Sequence, residues 1–459
     1  MSETFQANTE HMRKHLPLIA ICLGYFMVIV DATIVNVALP ALGRDLGGGV
    51  SSLQWVVDAY TVVFAGLLLP GGSLGDRVGS RRVFSVGLAV FTLASAVCGA
   101  APNVAVLIAA RALQGVGAAL LVPSSLALLR GVYAERRARA RAVGIWGAVA
   151  GTGAASGPIL GGALVGAISW RAVFIVNVPV GIAALVLAAK HLPASGESTD
   201  AGFDPPGQAL GILSLTLITL GAIEGGSAGW TAVQTLVPLA AAAVALVLFV
   251  VRERLARDPM LPLSLFANRT FSAASFVGLA INLGFYGQLF TISLLFQHAR
   301  GYSALQTGLA LLPEGVFVAI ASTVSGRMTA RLGPRVPMLT GLLLGAAGFL
   351  GLLTAGRTSY LVLVVPLMAA GFGMALTMPA ATAAVIEAAP ADRAGIASGV
   401  LNAARQAGGA LGVALLGSLI AGNLVSGFHA AMCVSAGAFL AGALATGLAV
   451  ERVPETLTA

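Results

Sequence analysis

Charge is what this sequence has least of. Only 10% of its 459 residues are Asp, Glu, Lys or Arg, against about 25% in an average soluble domain. With 58% hydrophobic residues and a mean hydropathy of +0.92, too few polar side chains remain to coat a water-soluble body of this size. The longest mainly hydrophilic stretch, 190–206, is too short for a soluble domain. Lysine occurs only at Lys14 and Lys190, and neither stands in a G-x-x-x-x-G-K-[ST] loop, which excludes a P-loop nucleotide site. The five histidines, His11, His15, His191, His298 and His429, lack metal-ligand spacing. Cys22, Cys98 and Cys433 lie in different apolar segments, so neither a disulfide framework nor a zinc site is indicated. No nucleophile–base pairing is visible, so neither an enzyme nor a cofactor is expected. A pI near 10.0 would suit a nucleic-acid partner. The basic residues, however, sit in short loops between apolar segments, where they report membrane topology instead.

What is present is a series of apolar runs about 20 residues long, the length of a membrane-crossing helix. They are not the alternating ten-mers of an outer-membrane barrel. The spans fall at 17–39, 54–74, 83–101, 104–128, 142–167, 172–189, 207–224, 232–251, 271–295, 305–328, 337–355, 359–387, 394–422 and 428–450. The first is not read as a cleavable signal peptide: it is too long, it contains Asp31, and no A-x-A site follows. With a cytoplasmic N-terminus, 20 of the 26 Lys and Arg residues lie inside and four (Arg44, Arg171, Arg300, Arg357) outside. Arg111 and Arg405 fall within spans. That asymmetry predicts both termini in the cytoplasm.

The chain also repeats itself. Gly115-x-Gly117-x5-Pro123 in the fourth span matches Gly371-x-Gly373-x5-Pro379 in the twelfth at an offset of 256, and Gly72-x6-Gly79 matches Gly326-x6-Gly333 at 254. The shift is eight spans, which duplicated six-span halves separated by two extra spans explain. The division expected is a cytoplasmic N-terminus 1–16, an N-terminal half 17–190, a linker 191–206, two inserted helices 207–251, a linker 252–270, a C-terminal half 271–450 and a cytoplasmic tail 451–459.

Charged residues stranded in apolar spans are candidates for function, because each costs several kcal/mol unless it meets water or a partner. Asp31 lies about 20 Å along the first span at 1.5 Å per residue. It reads either as a proton-exchanging carboxylate or as a structural hydrogen-bond acceptor for Asn36 or a neighbouring helix. Asp58, in Trp55-Val56-Val57-Asp58-Ala59-Tyr60, reads as a solvated cap or as a proton or cation acceptor. Arg111, in Arg111-Ala112-Leu113-Gln114-Gly115, needs an anionic or carbonyl partner, held permanently or exchanged between states. Glu314 follows Pro313 and reads as a second proton site, a contact for cationic ligands, or a structural group. Arg405, near Asn402, has Glu314 and Asp31 as possible partners. In the loop after span 2, Gly72 and Gly79 permit close approach and a sharp turn, and Asp76 can cap a helix or pair with Arg. Arg77, Arg81 and Arg82 there are pairing groups or plain topology anchors. In Gly153-x3-Gly157-Pro158-x2-Gly161-Gly162, the proline kinks the fifth span and the glycines allow tight packing.

These strings carry a family resemblance over nearly the whole chain. Gly72–Arg82 resembles the G-x-L-a-D-r-x-G-r-k signature of the major facilitator superfamily, departing from it at Ser80. Asp31–Pro40 resembles the first-span motif of drug/proton antiporters, and Arg111–Ala119 the R-x-x-q-G-x-g-a motif tied to proton coupling. Gly153–Gly162 resembles the superfamily's antiporter motif. Trp170–Gly181, Phe203-Asp204, Glu224-Gly225-Gly226 with Trp230, Phe296–Gly301 and Leu401–Gln406 resemble fourteen-span exporters of the methylenomycin-resistance type. The resemblance implies an all-α membrane protein of two six-helix halves plus two central helices. It implies proton-coupled export of lipophilic or cationic drugs by a monomer in a bacterial inner membrane, with drug, proton and lipid as its partners. With the readings of the single residues, proton coupling would fall to Asp31, Arg111, Asp58 and Glu314, the last a local specialisation where the family often lacks an acid, and substrate contact to Asp31, Asn36, Tyr60, Gln114, Glu314, Asn402 and Arg405. Conformational change would rest on Gly72, Asp76, Arg77, Gly79, Arg81, Gly153, Gly157, Pro158, Gly161 and Gly162. Proton-coupled uptake of a small metabolite, or a sensor with a transporter's fold, are the alternatives.

Overall fold

A computed structural model describes residues 2–133, 135–193, 204–256, 259–355, 358–390 and 393–451, with side chains from Leu16 onward except those of residues 76, 130, 136, 137, 140 and 394. Most of the expected termini 1–16 and 451–459 and of the linker 191–206 lies outside the described residues or side chains, and in the linker 252–270 only residues 257 and 258 do. No strand occurs among the described residues. Among the described residues, fourteen helices are long and apolar enough to cross a membrane. They are α1 (Leu16–Leu46), α2 (Val50–Gly75), α3 (Ser80–Ala100), α4 (Val104–Leu129), α5 (Arg141–Ala167), α6 (Ala172–His191) and α7 (Pro205–Ser227). The second set is α8 (Val233–Leu255), α9 (Arg269–Ala299), α10 (Ala304–Leu332), α11 (Arg335–Thr354), α12 (Tyr360–Ala388), α13 (Gly395–Ile420) and α14 (Leu424–Ala449). Large apolar side chains are exposed all along these helices, Leu255, Leu361 and Leu448 each by more than three-quarters, a surface that suits a bilayer. This is a multi-pass membrane protein.

All fourteen spans stand where expected to within a few residues, but three details differ. The stretch through Val78, expected in the loop after span 2, is helical, and only Gly79 separates it from the next helix. The first span, read as 17–39, continues through Pro40 to Leu46, so Arg44 and Asp45 lie on its last turn and not in a loop. The tenth is broken at Leu311 into Ala304–Ala310 and Leu312–Leu332. Pro313 is the cause: it has no N–H to give the carbonyl of Leu309, and its ring crowds that carbonyl.

The repeat is visible as packing. Within α1–α6, α4 lies between α2 and α3, and within α9–α14, α12 lies between α10 and α11. A Cβ on Gly115 would stand 2.6 Å from the Tyr60 carbonyl on α2, and one on Gly117 would stand 2.7 Å from Phe91 N on α3. In the second half Gly371 abuts Glu314 on α10, and Gly373 abuts Gly341 and Gly345 on α11. The same small residues set the same helix spacings twice, as close packing between membrane helices requires. By the same registration Glu314 occupies the place that Tyr60 holds in the first half.

The halves touch unevenly. One end of the molecule carries the close of α1; the other carries Arg77, Arg81, Arg82, Arg327, Arg331 and Arg335 and is called the arginine-rich end below. Near the close of α1, Gln297 Nε2 donates to the Val37 carbonyl at 3.0 Å, and Gly162 packs onto the backbone of Ala304 and Leu305. Between α2 and α13, Gln54 Nε2 donates to the Ala414 and Val413 carbonyls at 2.7 and 3.1 Å. Further along the same seam Gly399 stands against Leu69. The inserted pair α7–α8 is not spread around the bundle: α7 lies on both α2 and α13, while α8 packs on α7.

Candidate functional site: a buried ion pair in the first half

Five of the six helices of the first half contribute to one polar cluster. Asp31 comes from α1, Arg111 and Gln114 from α4, Asn177 from α6, Ser95 and Cys98 from α3, and Tyr60 and the Val56 carbonyl from α2. Arg111 and Gln114 are three residues apart and so share a helix face. Arg111 Nη1 donates to Asp31 Oδ2 and, at 2.9 Å, to Gln114 Oε1. Its Nε donates to the Val56 carbonyl at 2.8 Å. The other carboxylate oxygen, Oδ1, accepts from Asn177 Nδ2 at 3.0 Å and Gln114 Nε2 at 3.2 Å. Gln114 Nε2 also donates to Ser95 Oγ at 2.8 Å, and Cys98 Sγ donates to Gln114 Oε1 at 3.2 Å. The guanidinium lies 4.4 Å over the Tyr60 ring, a cation–π placement.

Asp31 is 0% exposed and Arg111 1%. A buried ion pair is poor evidence for added stability, since desolvation cancels much of the attraction. Its geometry does permit a change of state. If Asp31 takes a proton, Arg111 loses its charged partner but keeps two neutral acceptors, the Val56 carbonyl and Gln114 Oε1. The offset of 256 maps Arg111 onto Leu367, so the pair has no counterpart in the second half.

The remaining candidates are scattered. Asn36 is buried but donates to Ala32 and Thr33 carbonyls of its own helix, and Asp31 does not use it as a partner. Asp58 is 0% exposed and two turns inside α2, whose N-cap is Gly49, so it is not a solvated cap. It accepts from Thr61 Oγ1 at 3.4 Å, and its Oδ2 has no partner among the described residues. Glu314 accepts from Gln288 Nε2 at 3.4 Å, and its Oε1 is unpartnered among the described residues. It lines a cavity of about 20 Å³, roughly the room for one water. Arg405 pairs with neither Glu314 nor Asp31. It donates to Asn402 Oδ1 at 3.2 Å and contacts Met378 Sδ at 3.0 Å.

The two glycine motifs have distinct local jobs. Gly79 sits between α2 and α3 with φ +102°, a conformation that L side chains rarely adopt. Gly79→Ala is expected to lower stability by about 1–3 kcal/mol, read as a fall in Tm of the purified protein. Close approach there belongs to Gly71, which abuts the Ala119 carbonyl; Gly72 is only in ordinary contact with Pro123. Arg81 donates to the Ala189 carbonyl at 2.7 Å, and Arg77 is exposed. The side chain of Asp76 lies outside the described residues. On α5, Gly153, Gly157 and Gly161 form one stripe against Ile29, Thr33 and Ile34 of α1. Gly162 packs on Ala304 of α10, and the Pro158 carbonyl faces Gly308 of the same helix. Asn177, Ser95 and Cys98 were not singled out from the sequence; Asn177, a lone amide in an apolar span, carried the one usable signal.

Comparison with known proteins shows the family. Residues 21–413 match the model of the Major Facilitator Superfamily. The chain is 41% identical over 406 residues to the multidrug resistance protein Stp of Mycobacterium tuberculosis (strain CDC 1551 / Oshkosh), covering 88% of this chain and 76% of that one. It is 39% identical over 406 residues to the methylenomycin A resistance protein of Bacillus subtilis (strain 168), covering 88% and 87%. Among solved structures, a bacterial homologue of the human lysosomal transporter Spinster, inward-facing and unoccupied, superposes with a TM-score of 0.67 at 16% identity, covering 95% of this chain and 97% of that one. A POT family transporter in complex with a thioalcohol-conjugated peptide gives 0.72 at 14% identity, covering 93% and 94%. At such identities the likeness shows the fold alone. The chain is a transporter, not an enzyme, and it belongs to the Major Facilitator Superfamily.

Proposed function

We propose that the protein exports lipophilic or cationic drugs in exchange for protons, by alternating access of its two six-helix halves. The observation that carries this reading is the Asp31–Arg111 pair, an acid with a releasable cationic partner in the half that otherwise mirrors its twin. The printed names of the relatives, among them a tetracenomycin C resistance and export protein of Streptomyces glaucescens at 37% identity, support drug export. The Arg and Lys asymmetry supports an inner-membrane protein with both termini cytoplasmic and the arginine-rich end facing the cytoplasm. The site needs no second copy, so the monomer is the transporting unit.

The mechanism follows from charge. A proton arriving at Asp31 neutralises the carboxylate and frees Arg111 to rest on Val56 and Gln114. Tyr60 and Gln114, which touch the pair, transmit its state to α2 and α3. Departure of the proton restores the pair. One elementary charge moving through 100 mV releases about 2.3 kcal/mol, which drives the cycle. Asp58 and Glu314, each with a carboxylate oxygen unpartnered among the described residues, are the further sites for protons or a ligand's cation. Asn36, Asn402 and Arg405 are the polar contacts for substrate.

Adding a cationic dye to purified protein in weakly buffered detergent solution is expected to release protons from wild-type protein and none from Asp31→Asn. Cells carrying the protein are expected to hold less dye, with an uncoupler restoring it. Dye accumulation above the control would mean uptake. Binding without any change in accumulation would mean a sensor, and either result overturns the reading.

A further inference from the structure

The two seams between the halves are built differently. The α2–α13 seam is closed from Gln54 to Leu69, about 22 Å along α2 at 1.5 Å per residue. Over it lies α7. Its Ile212 fills the space at Gly66 of α2, and its Gly226 abuts Ser418 of α13. Trp55 of α2, Ala222 and Ile223 of α7 and Ala414 of α13 form a separate apolar knot across that seam. The inserted helix therefore covers one flank.

On the other flank, α5 meets α10 in only part of its length. Ala155 stands against Gly315, the Pro158 carbonyl against Gly308, and Gly162 against Ala304. Helical periodicity continues that face of α5 through Gly151, Gly147 and Gly144. A Cβ on any of these three would meet nothing within 4 Å. The same is true of Gly326, three turns beyond Gly315 on α10. From residue 151 to residue 144, about 10 Å along α5, that face is thus open toward the arginine-rich end. The opening is not a slack end of α5: Trp146 stacks on Tyr25 of α1 with ring centroids 3.9 Å apart and donates to Ser125 Oγ at 3.1 Å. Ile145 of α5 and Ile320 of α10 are both exposed. At its apex, lining one small cavity with Ala154, Ala155 and Pro158, is Glu314, 3% exposed and with Oε1 unpartnered among the described residues.

We propose that the gap between α5 and α10 is a lateral entrance through which a lipophilic cation dissolved in the membrane leaflet at the arginine-rich end reaches the protein, and that α7 shuts the equivalent route at α2–α13. The open, uncharged glycine face of α5 leaves room for the body of such a molecule, and the carboxylate at the apex complements its charge. This deepens the export reading and rests on it.

A plug added after folding tests the route. Cys22 and Cys98 are buried and Cys433 is exposed on α14. A Cys433→Ser protein carrying Gly147→Cys can therefore be labelled at one place with a pyrene maleimide, and wild-type protein labelled at Cys433 is the control. Gly326→Cys serves as a second variant on the opposite wall. The measurement is binding of a membrane-partitioning cationic dye to protein in lipid nanodiscs, without turnover. Plugging either wall is expected to slow association and dissociation together by at least tenfold, with Kd changed less than twofold. The Cys433 label is expected to change neither rate. Association rates should also track dye per lipid and not free aqueous dye. Unchanged rates in both plugged variants overturn the entrance, and so does a weakened Kd with an unchanged on-rate. Failure of the export reading shows separately, as an absence of proton-dependent dye export by the unlabelled variants.

Discussion

Replacing Asp31 by Asn is expected to cut proton-driven export by about two orders of magnitude while leaving a folded protein that still exchanges substrate across the membrane. Asn matches the carboxylate in size, and its amide oxygen still accepts from Asn177 or Gln114. Breaking a buried pair by removing one partner ordinarily costs about 3–5 kcal/mol, because the other charge is stranded. Here Arg111 retains the Val56 carbonyl and Gln114 Oε1, so the cost should fall toward the lower end of that range. Arg111→Leu is the harsher change, since it leaves Asp31 charged among apolar neighbours unless it binds a proton permanently. Asp31→Asn with Arg111→Leu should then be more stable than Arg111→Leu alone, the coupling expected of residues in contact. In proteoliposomes, efflux driven by a pH gradient and substrate counterflow at equal pH separate the two functions. Loss of both together would mark Asp31 as structural, and retention of gradient-driven efflux would remove it from the coupling step.

Much of this was legible in the sequence because membrane spans announce themselves by length and because charge inside them is rare. Asp31, Arg111, Gln114 and Tyr60 were each identifiable from the chain and do converge. The duplicated Gly-x-Gly-x5-Pro strings gave the architecture, since each glycine marks a backbone approach that any side chain would block. The partners were not legible. Which way Asn177 or Arg405 faces depends on the rotation of its helix. In lipid that rotation leaves little periodic trace, because the outside is as apolar as the inside. Arg405 therefore lies beside Asn402 and Met378, with neither suspected acid, and Asn36 turns back on its own helix. The uneven seams were hidden for a related reason: Gly144, Gly147 and Gly151 read like Gly153, Gly157 and Gly161, though the first three face open space and the others are in contact.

That contrast sets up the second large effect. Gly157→Ala is expected to impair folding and export severely, whereas Gly147→Ala should be nearly silent. A Cβ at position 157 collides with Thr33 Oγ1 and would lie 2.9 Å from Thr33 Cβ and 3.2 Å from Ile34 N on α1. Overpacking of this kind costs about 1–3 kcal/mol when neighbours can shift. Part of the contact here is backbone, so α1 itself must move. Thr33 is two residues from Asp31, so moving α1 changes the distance from Asp31 to Arg111 on α4, and coupling suffers even in molecules that fold. Thr33→Ala deletes the colliding oxygen but keeps its Cβ, so the double variant should regain part of the lost Tm and part of the export. A Gly157→Ala protein with wild-type Tm and unaltered proton-driven efflux would show that α1 and α5 are not held at the spacing described, and with it would go the idea that the antiporter glycines position the acid.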